Sequence, residues 1–394
     1  MTINKTSKIV LVPIEYHKDR TNYIVKDKTS GEFYEMPEMA IRAIKLLMEG
    51  HSLNEVERRL KTAYPEKEVD IVDFAHQLIE LNLVSEIDGV KVSAKEYKTE
   101  TKGFMWIPVG IGKLAFNKVS YIIYSILFVF NIFLFIRNPS LFPSYKDYFV
   151  FDWMSLNVLL WIAVGMILLL IHESGHILAM RSYNLPTRLS IGHRLMFLAL
   201  ETDMEGTWGL SPAQRNVLYL GGLCLDLVIL TFALTVQAYY LEGPMLLLAI
   251  MKIIVIDIFI RFVFQCGVFM KTDLYFVLEN ITGSYNLMEN AHHLIKSWFK
   301  RTTRKVGEVS YEHEKKTIAF YSIIYFLGVF LTISIFVLFS IPQIFITFSH
   351  SIERLGSPLF SKEFLDGAIV LLQTMTGLSL LLYSWNKKYR LGKD

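Results

Sequence analysis

The run Leu168-Leu169-Leu170-Ile171-His172-Glu173-Ser174-Gly175-His176 decides how this chain is read. It has the form H-E-x-x-H, set within the apolar stretch Leu156–Met180. Residues four apart on a helix share a face, so His172 and His176 can grip one metal ion. Glu173 beside them is a candidate general base toward a water activated by that ion. A soluble helix carries this pattern by chance often enough to decide little. Ionisable groups inside a membrane span are costly and mark function, so here the pattern points to catalysis.

Composition agrees with a span. The 394 residues are 53% hydrophobic and 14% aromatic, too apolar for an ordinary soluble domain and suited to a multi-span protein. The net charge of +3 carries no footprint for nucleic acid. Cys224 and Cys266 both fall in apolar runs, which reads as packing rather than a disulfide or a cysteine zinc site. The polar start, Met1 to Lys8, gives no signal-peptide pattern, so the first domain is expected in the cytosol.

Polarity changes sharply near residue 115. The expected architecture is an α-helical polytopic membrane protein of about six spans with a small N-terminal α+β winged-helix domain. The expected domains are residues 1–100, a linker or interfacial segment at 101–117, and a membrane domain at 118–394. Spans are expected at Val119–Ile136, Leu156–Met180, Val217–Tyr240, Met245–Met270, Ile318–Phe339 and Ala368–Trp385.

Loop charges orient them. Arg181, Arg188, Arg194 and Arg215 lie between the second and third spans. Lys271, Lys296, Lys300, Arg301, Arg304, Lys305, Lys315 and Lys316 lie between the fourth and fifth, and Lys387, Lys388, Arg390 and Lys393 in the tail. The alternate loops hold only Arg137 with Lys146, then none, then Arg354 with Lys362. Both termini are therefore expected inside a bacterial cell membrane. His172 lies about 16 residues into its span, roughly 24 Å at the helical rise, in the cytosolic leaflet.

A catalytic zinc site wants three protein ligands and an open position. Asp273, in Met270-Lys271-Thr272-Asp273-Leu274-Tyr275, is expected to end the fourth span, which runs inward to the same depth. His193, His292, His293 and His313 are rivals, placed in polar segments that suit surface histidines. Asp226 and Arg261 lie at similar depth in the third and fourth spans, with Asp257 four residues before Arg261. They read as a polar relay or as interhelical pairing, the second favoured.

These residues resemble the site-2 protease family of intramembrane zinc metalloproteases, in its bacterial peptide zinc metalloprotease branch. The match covers about residues 150–290. Lys271-Thr272-Asp273-Leu274-Tyr275-Phe276-Val277-Leu278 is similar to that branch's T-D-G-Y-Y-x-L segment, with Leu274 in place of Gly. Glu201-Thr202-Asp203-Met204 and Gly221-Gly222-Leu223-Cys224-Leu225-Asp226 also fit, Leu223 replacing the Pro of G-P-x-x-D. The resemblance implies one Zn2+ per chain on His172, His176 and Asp273, Glu173 as the base, and water entry around Thr202 and Asp203.

Before the spans, Lys8–Ile14, Asn22–Asp27 and Glu32–Met36 read as strands. Pro37–Glu49, Leu53–Ala63 and Val69–Leu81 read as helices, with Ser52 and Glu55 as a capping box and Asp70 or Val69 opening the third. Leu83 to Val92, turning at Asp88-Gly89, reads as a hairpin wing. Through Glu100 there are 15 Lys and Arg against 18 Asp and Glu, which argues against DNA binding.

The lines NYIVKDKTSGEFYEM, MEGHSLNEVERRL and VDFAHQLIELNLV resemble the PqqD-like peptide-recognition element, over about residues 7–90. That resemblance implies a leader peptide added as a strand at the Phe33–Tyr34 edge, beside the third helix. The bland alternative is a structural cap.

Together the expectations describe a zinc endopeptidase processing a ribosomally made, modified or unmodified peptide precursor. Its partners would be that precursor, a peptide-modifying enzyme, an ABC exporter and the lipid bilayer, with no nucleic acid. The alternatives are a regulatory protease cutting a membrane-anchored signalling protein, and a non-enzymatic immunity or export partner. The orientation is testable: single cysteines at Ser144 and Ser357 should label from outside intact cells, and one at Ser310 should not. External labelling at Ser310 would overturn it.

Overall fold

The computed structural model describes residues 3–20, 22–66, 68–92, 103–194, 197–240, 244–284, 287–300 and 315–391. It divides into two compact units, Met1–Lys102 with Met204–Pro212, and Gly103–Asp203 with Ala213–Asp394.

The first unit contains β1 (Ile9–Leu11), β2 (Ile14–Asp19), β3 (Asn22–Asp27), β4 (Phe33–Met36), α1 (Glu38–Met48), α2 (Leu53–Ala63), α3 (Ile71–Glu80), β5 (Val84–Ile87) and β6 (Val90–Lys91). Two antiparallel three-stranded sheets form, in the orders β1-β5-β6 and β2-β3-β4. The helices bury Ile41, Ile44 and Leu47 of α1, Leu53, Val56 and Leu60 of α2, and Ile71, Ala75 and Leu78 of α3. This three-or-four-residue spacing is the stripe an amphipathic helix turns to its core.

Two expectations change here. The single strand over Lys8–Ile14 is two strands in different sheets. Pro13 sits at the break and has no N–H for a continuous ladder. The capping box also fails to form. Ser52 makes no side-chain cap bond, and Glu55 instead pairs with Arg59 at 2.8 Å and His51 at 3.2 Å. Asp70 does cap α3, accepting from the N–H groups of Val72 and Asp73. The β5–β6 hairpin turns through Asp88 and Gly89 with φ of 50° and 81°, the left-handed pair a two-residue turn requires.

The second unit is mainly helical: α4 (Val109–Ala115), α5 (Lys118–Arg137), α6 (Met154–Ser182), α7 (Pro212–Tyr219), α8 (Gly221–Tyr239), α9 (Met245–Gln265), α10 (Asp273–Thr282), α11 (Leu287–Lys300), α12 (Lys315–Ile335), α13 (Ile341–Leu355) and α14 (Lys362–Leu391). A hairpin of β7 (Leu189–Arg194) and β8 (Phe197–Thr202) follows α6. Sequence reading assigns no strand there.

Among the described residues, five helices are long and apolar enough to cross a membrane: Lys118–Arg137, Met154–Ser182, Gly221–Tyr239, Lys316–Leu355 and Lys362–Asn386. The fourth expected span, Met245–Met270, corresponds to α9, which ends at Gln265 and is 21 residues long but carries Lys252, Asp257 and Arg261. The span expected over Ile318–Phe339 runs on as one helix to Leu355. A π turn at Phe336–Ser340 absorbs the missing N–H of Pro342, so the proline ends no helix. The expected linker 101–117 contains α4, whose Gly112 lies against α6; a Cβ there would stand 2.5 Å from Ser182 N.

α6 is held at both ends. At its start, the N–H groups of Met154 and Ser155 donate to Asp366 of α14 at 2.9 Å each, and Arg354 pairs with the same carboxylate. These donors have no intrahelical partner, so the carboxylate completes the helix. Near its end, Gly175 crosses Gly221 of α8 backbone to backbone; a Cβ on Gly175 would stand 2.3 Å from the Gly221 carbonyl oxygen. Small residues permit such an approach between apolar helices.

The crossing predicts a contrast between two glycines. Gly175→Ala must push the helices apart and should lower stability by about 1–3 kcal/mol, the usual overpacking cost. Gly377→Ala, in α14 with open space around it, should leave the thermal midpoint in detergent unchanged or raise it. Equal midpoints for the two variants would remove the crossing as a packing determinant.

Candidate metal centre

His172 and His176 lie one turn apart on α6 with ring centroids 5.0 Å apart and rings tilted by 73°. Their Nε2 atoms are 3.3 Å apart. Asp273 Oδ2 lies 3.2 Å from His172 Nε2 and 3.5 Å from His176 Nε2. All three residues are at most 5% exposed, and their donor atoms converge as a group that could hold a metal ion.

Asp273 reaches this place by a different route from the one expected. It does not close α9, which ends at Gln265. A short turn at Val268–Met270 and a left-handed Lys271 (φ 52°) reverse the chain, and Asp273 becomes the first residue of α10. A carboxylate in a first helical turn meets unpaired N–H groups and the positive end of the helix dipole.

The far side of each imidazole is tied down. His172 Nδ1–H donates to Asp226 Oδ2 at 2.7 Å, and His176 Nδ1–H donates to the Leu218 carbonyl at 2.8 Å. Carboxylate and carbonyl oxygens only accept, so both rings carry their proton on Nδ1 and turn the Nε2 lone pair inward. A metal-binding histidine needs that tautomer, and such partners commonly set it. Gly222 makes room for the His172 ring; a Cβ there would stand 2.5 Å from its Nε2.

Glu173 is buried beside the histidines, at 6% exposure. Its Oε2 accepts from the Thr202 hydroxyl of β8 at 2.8 Å. Thr202 was expected only to mark a water route, whereas here it orients the candidate base. Gln265 was not anticipated at all. Its amide bonds Asp273 Oδ2 at 2.7 Å and accepts from the Asp273 backbone N–H at 3.0 Å. The sequence signals for both are faint, a polar residue at a strand end and another at a helix end.

The expected Asp226–Arg261 pair is looser than the alternative. Arg261 bonds Asp257 at 2.8 Å, and its Nε stands 3.9 Å from Asp226 Oδ2. Asp226 is drawn to His172 instead. Of the rival ligands, His292 packs on Tyr325 with ring centroids 5.7 Å apart, and His313 lies outside the described residues. The side chains of His193 and His293 also lie outside them.

In the first unit, Phe33 and Tyr34 stand on β4, an edge strand. A groove of about 730 Å³ runs between β4 and α3, with Met36, Met39, Phe74 and Leu78 among its walls. The Tyr34 hydroxyl donates between Glu32 Oε2 at 2.7 Å and the Leu81 carbonyl at 3.0 Å, linking the strand to the end of α3. Burial, with Glu32 beside it, pushes its pKa up, so it stays a donor.

No family model, curated protein or solved structure matches this chain.

The geometry separates ligands from base. His172→Ala, His176→Ala and Asp273→Ala should each lose bound metal in the purified protein, measured by elemental analysis. Glu173→Gln should keep it, because Glu173 bonds Thr202 rather than joining the cluster. Full metal stoichiometry in Asp273→Ala would move the third ligand elsewhere.

Proposed function

We propose that this chain is an intramembrane zinc endopeptidase of the site-2 protease kind, processing a ribosomally made peptide precursor. The observation that carries the reading is the buried convergence of His172, His176 and Asp273 with Glu173 adjoining. The three donor separations of 3.2, 3.3 and 3.5 Å are close to the edge of a tetrahedron with bonds of about 2.0–2.1 Å, roughly 3.3–3.4 Å. Two imidazoles and one carboxylate suit zinc in a hydrolytic site and leave one position open. α9 is the sixth span in this reading, with Asp257 and Arg261 paired within the bundle and both termini and the centre on the cytosolic side.

When bound, such an ion supplies Lewis-acid polarisation of a carbonyl oxygen and makes water acidic enough to yield a nucleophile near neutral pH. The chain's own residues do the rest. Glu173 accepts the proton of the attacking water and hands it to the leaving amine nitrogen. The Thr202 hydroxyl on Oε2 holds that carboxylate in one rotamer and leaves Oε1 for the proton. Asp226 and the Leu218 carbonyl keep the histidines in the metal-binding tautomer. Burial excludes bulk water, so cutting is confined to peptide that enters the site.

The first unit supports a peptide substrate. The edge strand β4 and the neighbouring apolar groove suit an extended chain, which would pair with the strand and drop alternate side chains into the groove. Joining capture and cutting in one chain raises the local substrate concentration, which helps most when precursor is dilute.

Mass spectrometry of a candidate precursor incubated with wild type and Glu173→Gln tests the reading. Wild type should release two fragments from one cut, and the variant should lose at least about 10³-fold in rate while keeping its metal. Deleting residues 1–100 should impair dilute full-length precursor far more than a short peptide spanning the cut. Processing of full-length precursor unchanged by the deletion would reduce the first unit to a structural cap.

A further inference from the structure

α9 carries Asp257, Arg261 and Gln265 at four-residue spacing. Four residues turn a helix through about 400°, so each step drifts only about 40° and the three share one face over roughly 12 Å. Lys252 apart, the rest of the helix is apolar, and that face meets the metal centre from behind at two points.

The first point is Gln265. Its Nε2 donates to Asp273 Oδ2 at 2.7 Å while its Oε1 accepts from the Asp273 backbone N–H at 3.0 Å. Its backbone carbonyl takes the Thr272 hydroxyl at 2.8 Å. Asp273 Oδ2 is the atom that faces both histidines. A donor on that oxygen occupies one lone pair, leaves another for an ion, and stops the carboxylate from rotating. An amide both donates and accepts, as this position demands. Glutamate has the same length but only accepts, and would set carboxylate against carboxylate. Methionine has the same length and does neither well.

The second point is Arg261. Its Nη2 bonds Asp257 Oδ2 at 2.8 Å, and its Nε lies 3.9 Å from Asp226 Oδ2, the oxygen that accepts His172 Nδ1–H. Asp226 is 1% exposed. A carboxylate so deep is costly without a cation nearby. Arg261 faces it from α9 and is itself braced by Asp257 one turn back.

We infer that Gln265 and Arg261 are positioning residues of the metal centre, one face of α9 fixing Asp273 directly and His172 through Asp226. This rests on the metal-site reading above and goes beyond it. Two of the three ligands are set by a helix that supplies no ligand.

The test is the cobalt affinity of the full-length protein in detergent, by chelator competition, with the visible d–d bands as a report on the ligands. Removing partners behind metal ligands commonly costs 10–100-fold in affinity. Gln265→Glu, Gln265→Met and Arg261→Met should each weaken cobalt by about that factor, and the Gln265 variants should shift the bands. Arg261→Lys keeps the cation and should lose less than Arg261→Met. Lys252→Met, on the same helix but beside Asp147, should bind as wild type does. Gln265→Glu and Arg261→Lys stay close in size to the native residues and keep the comparison open where a methionine variant does not fold. Gln265→Glu and Arg261→Met binding within threefold of wild type would overturn the inference while leaving the metal site standing. A wild-type protein that binds no cobalt would overturn both.

Discussion

The hydrogen bond from His172 Nδ1 to Asp226 Oδ2 joins two helices in the buried interior, where an unpaired polar group costs most. It can form only because Gly175 and Gly221 let α6 and α8 touch backbone to backbone and Gly222 leaves the imidazole a place to lie. A methyl group at any of the three would drive the histidine from its partner or the helices from each other. The bond does two jobs. It pins the ring and selects the tautomer that turns Nε2 toward His176 and Asp273.

A bundle this apolar gains little from sequestering apolar surface against apolar surface, so its specificity comes from close packing and from polar groups that must find one another. The polar groups are concentrated. Asp366 and Arg354 hold the start of α6, Asp226, Leu218 and Gln265 hold the three candidate ligands, and Thr202 holds Glu173. Each contact ties α6 or α10 to a different neighbour. The centre is thus fixed from several directions at once, and a change in any one neighbour reaches it directly.

What sequence could and could not reveal follows from the range of each interaction. His172 and His176 are legible because a helix alone places them on one face. Asp273 is legible as a residue that comes to the right depth, though its backbone setting is not. The left-handed Lys271 and the start of α10 depend on packing. Gln265 is illegible because it belongs to no local pattern, and the Glu201–Met204 run that contains Thr202 gives no sign of its partner. Thr202 meets Glu173 from 29 positions away, on a hairpin that hydropathy alone does not announce. Ser52 and Glu55 fail in the opposite way. Their local pattern is complete, but Arg59 and His51 compete successfully for the same carboxylate. The apolar run Ile318–Phe339 gives no sign that the helix continues to Leu355 through a π turn at Phe336–Ser340.

The charges of α9 show why such a helix defeats a simple hydropathy rule. Lys252, Asp257 and Arg261 keep it out of the set of five apolar helices. Yet Asp257 and Arg261 neutralise each other at 2.8 Å, and Asp226 of α8 stands beside the guanidinium. Counting charges treats each as a separate desolvation cost, whereas a paired and braced charge costs far less than a lone one. A helix that counts as too polar to be buried is buried all the same when its polar residues have their partners within the bundle. In this protein those partners sit directly behind the candidate ligands. The charges that keep α9 out of the set of apolar helices are therefore the ones placed to support the centre.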